Sequence, residues 1–162
     1  MARATFVKAA RKDYPDYEIK KGEPYYWWKF RFGPKHFSKT KPKRSQLTQS
    51  DFYSTVWDVE DRLSEFAGSI EDARMERDSA VDELRQLAEE CQDKRSNMPD
   101  SLQESETGQL LEERADELES MASELEGVDL EIEQDEGETD EDYQKRVEDA
   151  IEEVKNVSYS GS

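Results

Sequence analysis

Apolar residues recur through the central part of the chain in alternating steps of four and three residues. This spacing is the heptad pattern of a coiled-coil seam, and it predicts one long helix that begins near Asp51 and ends near Asn97. Arg77 occupies one of the apolar positions, where it either pairs with a Glu of a facing helix or weakens the seam. The predicted seam comprises Phe52, Val56, Val59, Leu63, Phe66, Ile70, Ala73, Ala80, Leu84, Leu87 and Cys91.

A second helix with the same spacing is predicted from Ser105 to Glu126. Helices joined by a short loop pack antiparallel, so this helix is expected to lie along residues 75–97. The bulkier half of the seam, residues 52–70, would then stay uncovered. The N-terminal sheet, a third helix or a second copy of the chain could cover it, so the seam is predicted to serve the core or oligomerisation.

A third helix is expected after Thr139, because Thr139-Asp-Glu-Asp142 resembles a capping box. Its apolar stripe consists of Tyr143, Val147, Ile151 and Val154. Before it, Val128–Glu133 alternates between apolar and acidic residues, which indicates an edge strand or an extended linker.

The N-terminal region has a different periodicity. Tyr25–Phe32 is dense in aromatic residues and alternates with period two, which predicts the strongest strand of the chain. Residues 17–20 and 36–39 are predicted as two further strands, while residues 2–10 form a short helix or an arm. The predicted fold is α+β and mostly α: a small N-terminal three-stranded antiparallel sheet, a long antiparallel coiled-coil helical hairpin and a C-terminal helix.

The predicted organisation has four parts. Residues 1–48 form a basic aromatic β module and 49–126 an acidic coiled-coil hairpin. Residues 127–155 form an acidic linker or strand with the C-terminal helix, and 156–162 form a disordered tail.

Charge divides the chain in the same way. Residues 1–50 hold 13 Lys and Arg against 4 Asp and Glu, whereas residues 51–162 hold 10 against 37. The balances are +9 and −27, which together give the net charge of −18. Exposed charges are screened beyond about 8–10 Å at ordinary salt, so the basic part can act independently if the acidic part is held several screening lengths away. If the acidic part folds back, it competes for the basic face.

One face of the predicted central strand mixes aromatic rings with cations. Cations neutralise phosphates and rings stack on bases, so this mixture favours contact with nucleic acid. The alternative is that the rings form the core of a tiny domain while Lys and Arg keep its surface soluble. The predicted contact residues are Tyr25, Trp27, Lys29, Arg31, Lys35, Lys39, Lys41, Lys43 and Arg44.

Residues 39–44 also resemble a nuclear-localisation or phosphate-binding cluster, although such a run is more often a solvated linker.

Catalysis and metal binding have little support. The chain has one His, His36, and one Cys, Cys91, in different elements, which excludes a zinc site and disfavours a nucleophilic pair. We expect Cys91 to be a small apolar seam residue and His36 to be a surface residue or a phosphate contact. No enzyme activity, cofactor or metal is predicted.

No apolar run has the length of a signal peptide or a membrane span, so a cytoplasmic protein without a membrane partner is expected.

The run Tyr25-Tyr-Trp-Trp-Lys-Phe-Arg-Phe-Gly-Pro-Lys-His-Phe-Ser-Lys-Thr, followed by Pro42 and Ser45-Gln-Leu-Thr48, resembles small uncharacterised proteins of tailed bacteriophages and prophages. The resemblance covers about residues 1–66. It implies a bacterial cytoplasm during infection or lysogeny, and no functional residue can be carried over from it. The sheet is also distantly similar to the three-stranded arm-binding modules of phage integrases, although no recombinase catalytic residues follow here.

Together these patterns predict a non-enzymatic nucleic-acid-binding accessory protein whose coiled coil binds a protein partner or a second copy. One alternative is a pure protein-interaction or assembly module. Another is an acidic DNA mimic, whose carboxylates imitate phosphates and inhibit a host DNA-binding protein.

Overall fold

A computed structural model describes residues 1–161 of the chain and confirms the predicted fold class. The chain divides into two compact units, of which the first covers Met1–Asp58 and the second begins at Val59. The division lies inside the first helix, later than the predicted end of the basic module at residue 48. The elements are β1 (Thr5–Val7), β2 (Tyr25–Lys29), β3 (Lys35–Ser38), α1 (Asp51–Glu65), α2 (Ile70–Ser96), α3 (Asp100–Gln103), α4 (Glu106–Gly127) and α5 (Asp140–Asn156).

The N-terminal sheet is antiparallel with the order β1-β2-β3, but its first strand was predicted in the wrong place. That strand is Thr5–Val7, within the predicted helix or arm, and not residues 17–20. Pro15 starts a single 3-10 turn that runs to Tyr17, and Glu18 then takes a left-handed φ of 54°. This bend leaves only an isolated bridge between Tyr14 and Ile19 where a strand was expected.

The hairpin of α2 and α4 is confirmed, and ion pairs mark its antiparallel register. Arg95 lies 3.1 Å from Glu112 near the loop, and Arg85 lies 2.6 Å from Glu126 further along the same helices. Leu84 and Leu118 are fully buried between them. The apolar seams of the two helices therefore form the core of the second unit.

The predicted single helix from Asp51 to Asn97 is wrong, because the chain breaks at residues 66–69. The Ser69 hydroxyl accepts a hydrogen bond from the Asp72 amide at 3.2 Å, and the Asp72 carboxylate accepts one from the Ser69 amide at 3.0 Å. This reciprocal capping box gives α2 an N-terminus of its own. The heptad spacing hid the break, since it continues through these residues.

The break lets the end of α1 pack on α2 within the second unit. Arg62 at the end of α1 lies 3.1 Å from Glu76 and 2.8 Å from Glu83. Val59 and Leu63 are fully buried, so this stretch of the seam, which the sequence left uncovered, is covered within one chain.

The linker that follows α4 is extended, and the structure assigns no strand within Val128–Glu133, which settles the predicted alternatives in favour of a linker. Two guanidinium groups of α2 hold it. Arg77 donates to the Val128 carbonyl at 3.0 Å and Arg74 donates to the Leu130 carbonyl at 2.9 Å. Arg77 also pairs with Asp78 of its own helix, so its partners differ from the predicted Glu of a facing helix.

The last helix begins as predicted, with the Thr139 hydroxyl accepting from the Asp142 amide. Of its predicted stripe, Val154 is buried and Tyr143, Val147 and Ile151 are half-buried, while Ala150, which was not assigned to the stripe, is also buried. Of the predicted disordered tail, residue 162 lies outside the described residues. Before it, Val157 is buried and the Tyr159 amide donates to the Glu60 carboxylate at 2.9 Å.

Candidate nucleic-acid interface

The register of the sheet places the candidate residues on one face. Trp27 lies between Thr5 of β1 and Phe37 of β3, and Lys29 lies opposite Lys35. Side chains alternate along a strand, so Tyr25, Trp27 and Lys29 share this face. We call it the Trp27 face.

One end of the Trp27 face is closed by a small core. Ile19 and Tyr25 are buried there, and the Tyr25 ring centre lies 5.6 Å from that of Tyr14 and 6.0 Å from that of Phe37. A hydrogen bond with Tyr14 and burial raise the pKa of the Tyr25 hydroxyl. Neighbouring side chains already cover the Tyr25 ring, so its contact with nucleic acid stays a prediction that this packing disfavours.

The other end of the Trp27 face is open. Trp27 is half-buried, while Lys29 and Lys35 are exposed. The Lys35 ammonium lies 4.4 Å from the centre of the Trp27 ring, which is the geometry of a cation–π contact. Within residues 1–161, neither lysine has a carboxylate within ion-pair distance. The structure thus brings together a partly open ring and two uncompensated cations.

The turn between β2 and β3 extends this surface. The strand ends at Lys29, earlier than predicted, so the alternation assigned to residues 30–32 does not hold. Phe32 is 76% exposed at the turn and the Arg31 guanidinium lies 5.4 Å from its ring centre. The sequence prediction included Phe32 in the strand; the turn signal at Gly33, where φ is +128°, could have indicated its exposure.

The opposite face of the sheet carries a pair of rings of which Phe6 is exposed and Tyr26 is half-buried. Phe6 lies opposite Tyr26 in the register, with ring centres 5.0 Å apart, and Phe6 is 51% exposed. Phe6 was missed because its strand was not predicted. On the same face Trp28 is buried and stacks on His36 at 5.4 Å, so His36 packs on the sheet surface rather than extending into solvent.

The predicted cations fall into two groups. Arg31 and Lys35 lie at the turn with Lys29, whereas the others follow the far end of β3. β3 ends at Ser38, about 10 Å along the strand from Lys35 at roughly 3.3 Å per residue, and the second group begins at the next residue. Its members are all exposed, and Arg44 lies 5.8 Å from the Trp57 ring centre. They are Lys39, Lys41, Lys43 and Arg44.

The seam residues proposed for oligomerisation are mostly covered within one chain. Phe66 and Ile70 are half-buried, and the other nine are buried: Phe52, Val56, Val59, Leu63, Ala73, Ala80, Leu84, Leu87 and Cys91. These nine do not present an open apolar seam to a second copy.

Other chemistry is sparse in the part of the chain that the structure describes. No group of three His, Cys, Asp or Glu side chains there is placed to hold a metal ion. Cys91 is buried in the α2 seam, and burial raises the pKa of its thiol, which disfavours the reactive thiolate. None of the helices in residues 1–161 combines the length and the apolar character needed to cross a bilayer.

No family model, curated protein or solved structure matches this chain. The geometry of the sheet and its charge are therefore the features that indicate a function.

Proposed function

We propose that the N-terminal unit is a nucleic-acid-binding module that prefers single strands. The observation that carries the proposal is the open end of the Trp27 face, where the Lys35 ammonium covers the Trp27 ring beside Lys29. A lysine head on a flexible stem can leave the ring for a phosphate, and a base can then take its place. Stacking on the ring and neutralisation of phosphate would occur at adjacent points.

Charge supports the assignment to this unit. Met1–Asp58 contains 13 Lys and Arg against 6 Asp and Glu. The ion pairs of Arg62, Arg85, Arg95 and Arg146 lie in the second unit, so cations there are largely compensated locally. Lys29 and Arg31 of the first unit have no such carboxylate partner among the described residues. They are free to neutralise phosphates.

The exposed phenylalanines favour single strands over duplex. Phe32 and Phe6 present apolar rings to solvent and have no group that can bind a phosphate or a base edge. A ring of this kind gains most by stacking on an unpaired base, since bases in a duplex are already stacked. The preference is for strand state and not for sequence.

The acidic second unit is the proposed partner-binding or self-associating part, and the bacterial, phage-type setting comes from the N-terminal resemblance. Both belong to the proposal. A nucleic-acid module of this kind would serve as an accessory protein, without catalysis of its own.

The test is a gel-shift and anisotropy titration of the full chain at low salt, with a labelled single strand and the matched duplex in DNA and RNA form. We expect retardation of the single strand and weaker binding of the duplex. Absence of binding to all four probes would end the proposal.

A further inference from the structure

The heptad spacing runs through the break between α1 and α2 without a change of phase. The steps from Leu63 to Phe66, to Ile70 and to Ala73 are three, four and three residues. A loop between two helices does not need this spacing, whereas one continuous helix does. Residues 66–69, which we call the hinge, therefore carry the pattern of a helix that the structure does not form.

Two residues hold the hinge bent. A Cβ atom at Gly68 would lie 2.9 Å from Cζ of Phe66 and 3.1 Å from Cβ of Asp72, so a side chain there would force the Phe66 ring and Asp72 to shift and would disfavour the bend. Ser69 caps α2 through its reciprocal hydrogen bonds with Asp72. Phe66 and Ala67 have no feature that opposes helix formation.

We propose that two copies of the chain exchange their α1 helices through straightening of the hinge. Residues 51–96 then form one continuous helix in each copy, and the end of α1 packs on α2 of the other copy. Exchange of an identical element repeats the contacts already present in one chain, which makes it a low-cost route to a dimer, and short hinge loops favour it. The partner is therefore a second copy of this chain.

The exchanged contact is well defined within the second unit. Val59 and Leu63 are fully buried, and Arg62 pairs with Glu76 and Glu83. In the exchanged dimer each of these contacts joins two chains.

Straightening also lets the dimer bury apolar side chains that stay half-exposed in the single chain. Phe66 and Ile70 are half-exposed at the bend, but in a continuous helix they continue the apolar stripe of Leu63 and Ala73. Where the two long helices cross, these side chains can bury against their copies. The hinge pattern is thus explained by the dimer and not by the monomer.

The first test changes the hinge. Gly68→Ala with Ser69→Ala removes both features that favour the bend, and we expect it to raise the dimer association constant at least about tenfold in sedimentation or light-scattering measurements. Ile70→Pro should prevent dimer formation, because proline suits the first position of α2 and stops a helix that enters from α1. Ser69 already has ψ of 170°, as a residue before proline requires, so the bent state accepts this change.

Ile70→Ala is the matched control, since it removes the same side chain without blocking the helix. We expect it to keep measurable dimer where Ile70→Pro has none. The proposal would be overturned if the wild-type chain and the Gly68→Ala, Ser69→Ala variant had the same monomeric fraction at every concentration.

The second test distinguishes exchange from side-by-side association. One variant carries Arg62→Glu and the other carries Glu76→Arg with Glu83→Arg, both in the Gly68→Ala, Ser69→Ala background. Each variant alone places like charges together, whereas a mixed exchanged dimer restores opposite charges at both contacts. We expect mixed dimer to exceed either homodimer by about tenfold. A mixture that behaves as the sum of its parts would contradict the exchange.

Discussion

The Lys35 ammonium lies 4.4 Å above the Trp27 ring, although the two residues are not paired in the sheet. Trp27 lies opposite Phe37 and Lys35 lies opposite Lys29, so the contact runs diagonally across one face. Diagonal neighbours on a face are within reach of long side chains. This relationship places an exposed cation over a ring that is only half-buried, at the end of the sheet that its own core leaves open.

Replacing Lys35 tests the charge at this point. Lys35→Gln removes one phosphate-neutralising group, so the affinity for a single strand should fall and the slope of log K against log salt should decrease by roughly 0.7. Lys12→Gln is the matched control, because the Lys12 ammonium also lies over a ring, 5.4 Å from the centre of Tyr14, at the closed end. An equal loss with Lys12→Gln would show that only net charge matters.

Replacing Trp27 tests the stacking surface. Trp27→Leu removes the ring and should weaken single-strand binding by about 1–3 kcal/mol, the range for one stacked base, while Trp27→Phe should keep much of the affinity. Anisotropy titrations measure the difference, and circular dichroism confirms that both variants fold. Equal single-strand affinities of the Trp27→Leu and Trp27→Phe variants would contradict stacking at this position.

Phe32 tests the preference for single strands. Its ring is 76% exposed, so Phe32→Ser should change the free energy of unfolding by no more than about 0.5 kcal/mol. It should nevertheless weaken single-strand binding more than duplex binding, because only unpaired bases can stack on the ring. A parallel loss on both probes would argue against the strand preference.

The sequence predicted helices more accurately than the small sheet. Ser105 and Thr139 cap α4 and α5 as expected, because capping depends on residues that are neighbours in the chain. The first strand depends on pairing between Thr5–Val7 and β2, about twenty residues apart, which no local pattern reveals. The burial of Tyr25 depends on packing of the same kind, since Ile19 and Tyr14 lie against its ring.

The hinge shows a different limit of sequence analysis. Apolar spacing predicts which positions share a stripe, but it does not say whether the stripe belongs to one helix or to two. Gly68 and the Ser69–Asp72 pair are local signals of a break, but the regular spacing of Leu63, Phe66 and Ile70 continues across them and alone predicts one helix.

Core substitutions should separate the buried seam from the exposed surface. Leu84→Ala should lower the free energy of unfolding by about 2–5 kcal/mol, because Leu84 is fully buried between α2 and α4. Met75→Ala on the same helix should have an effect within about 0.5 kcal/mol, since Met75 is 65% exposed. Urea denaturation measures both, and similar losses would show that the assigned core is wrong.

At acidic pH the second unit should lose folding stability as specific carboxylates become protonated. Hydrogen bonds from Ser69 lower the pKa of Asp72, and Arg85 lowers that of Glu126. Because these pKa values are depressed by folding, the stabilisation is present above the unfolded-state values near 4 and is lost as pH falls through the folded values. Asp72→Asn should therefore show a smaller drop in Tm between pH 5 and acidic pH than the wild-type chain.

Contact between nucleic acid and the open end of the Trp27 face can be observed directly by an NMR titration of the isotope-labelled full chain with a single-stranded oligonucleotide, following each backbone amide. We expect the largest shift changes on Trp27, Lys29 and the turn through Lys35, with little change in α2 and α4. Shift changes confined to the helices would contradict this contact. So would the absence of shift changes when the oligonucleotide is in large molar excess over the protein.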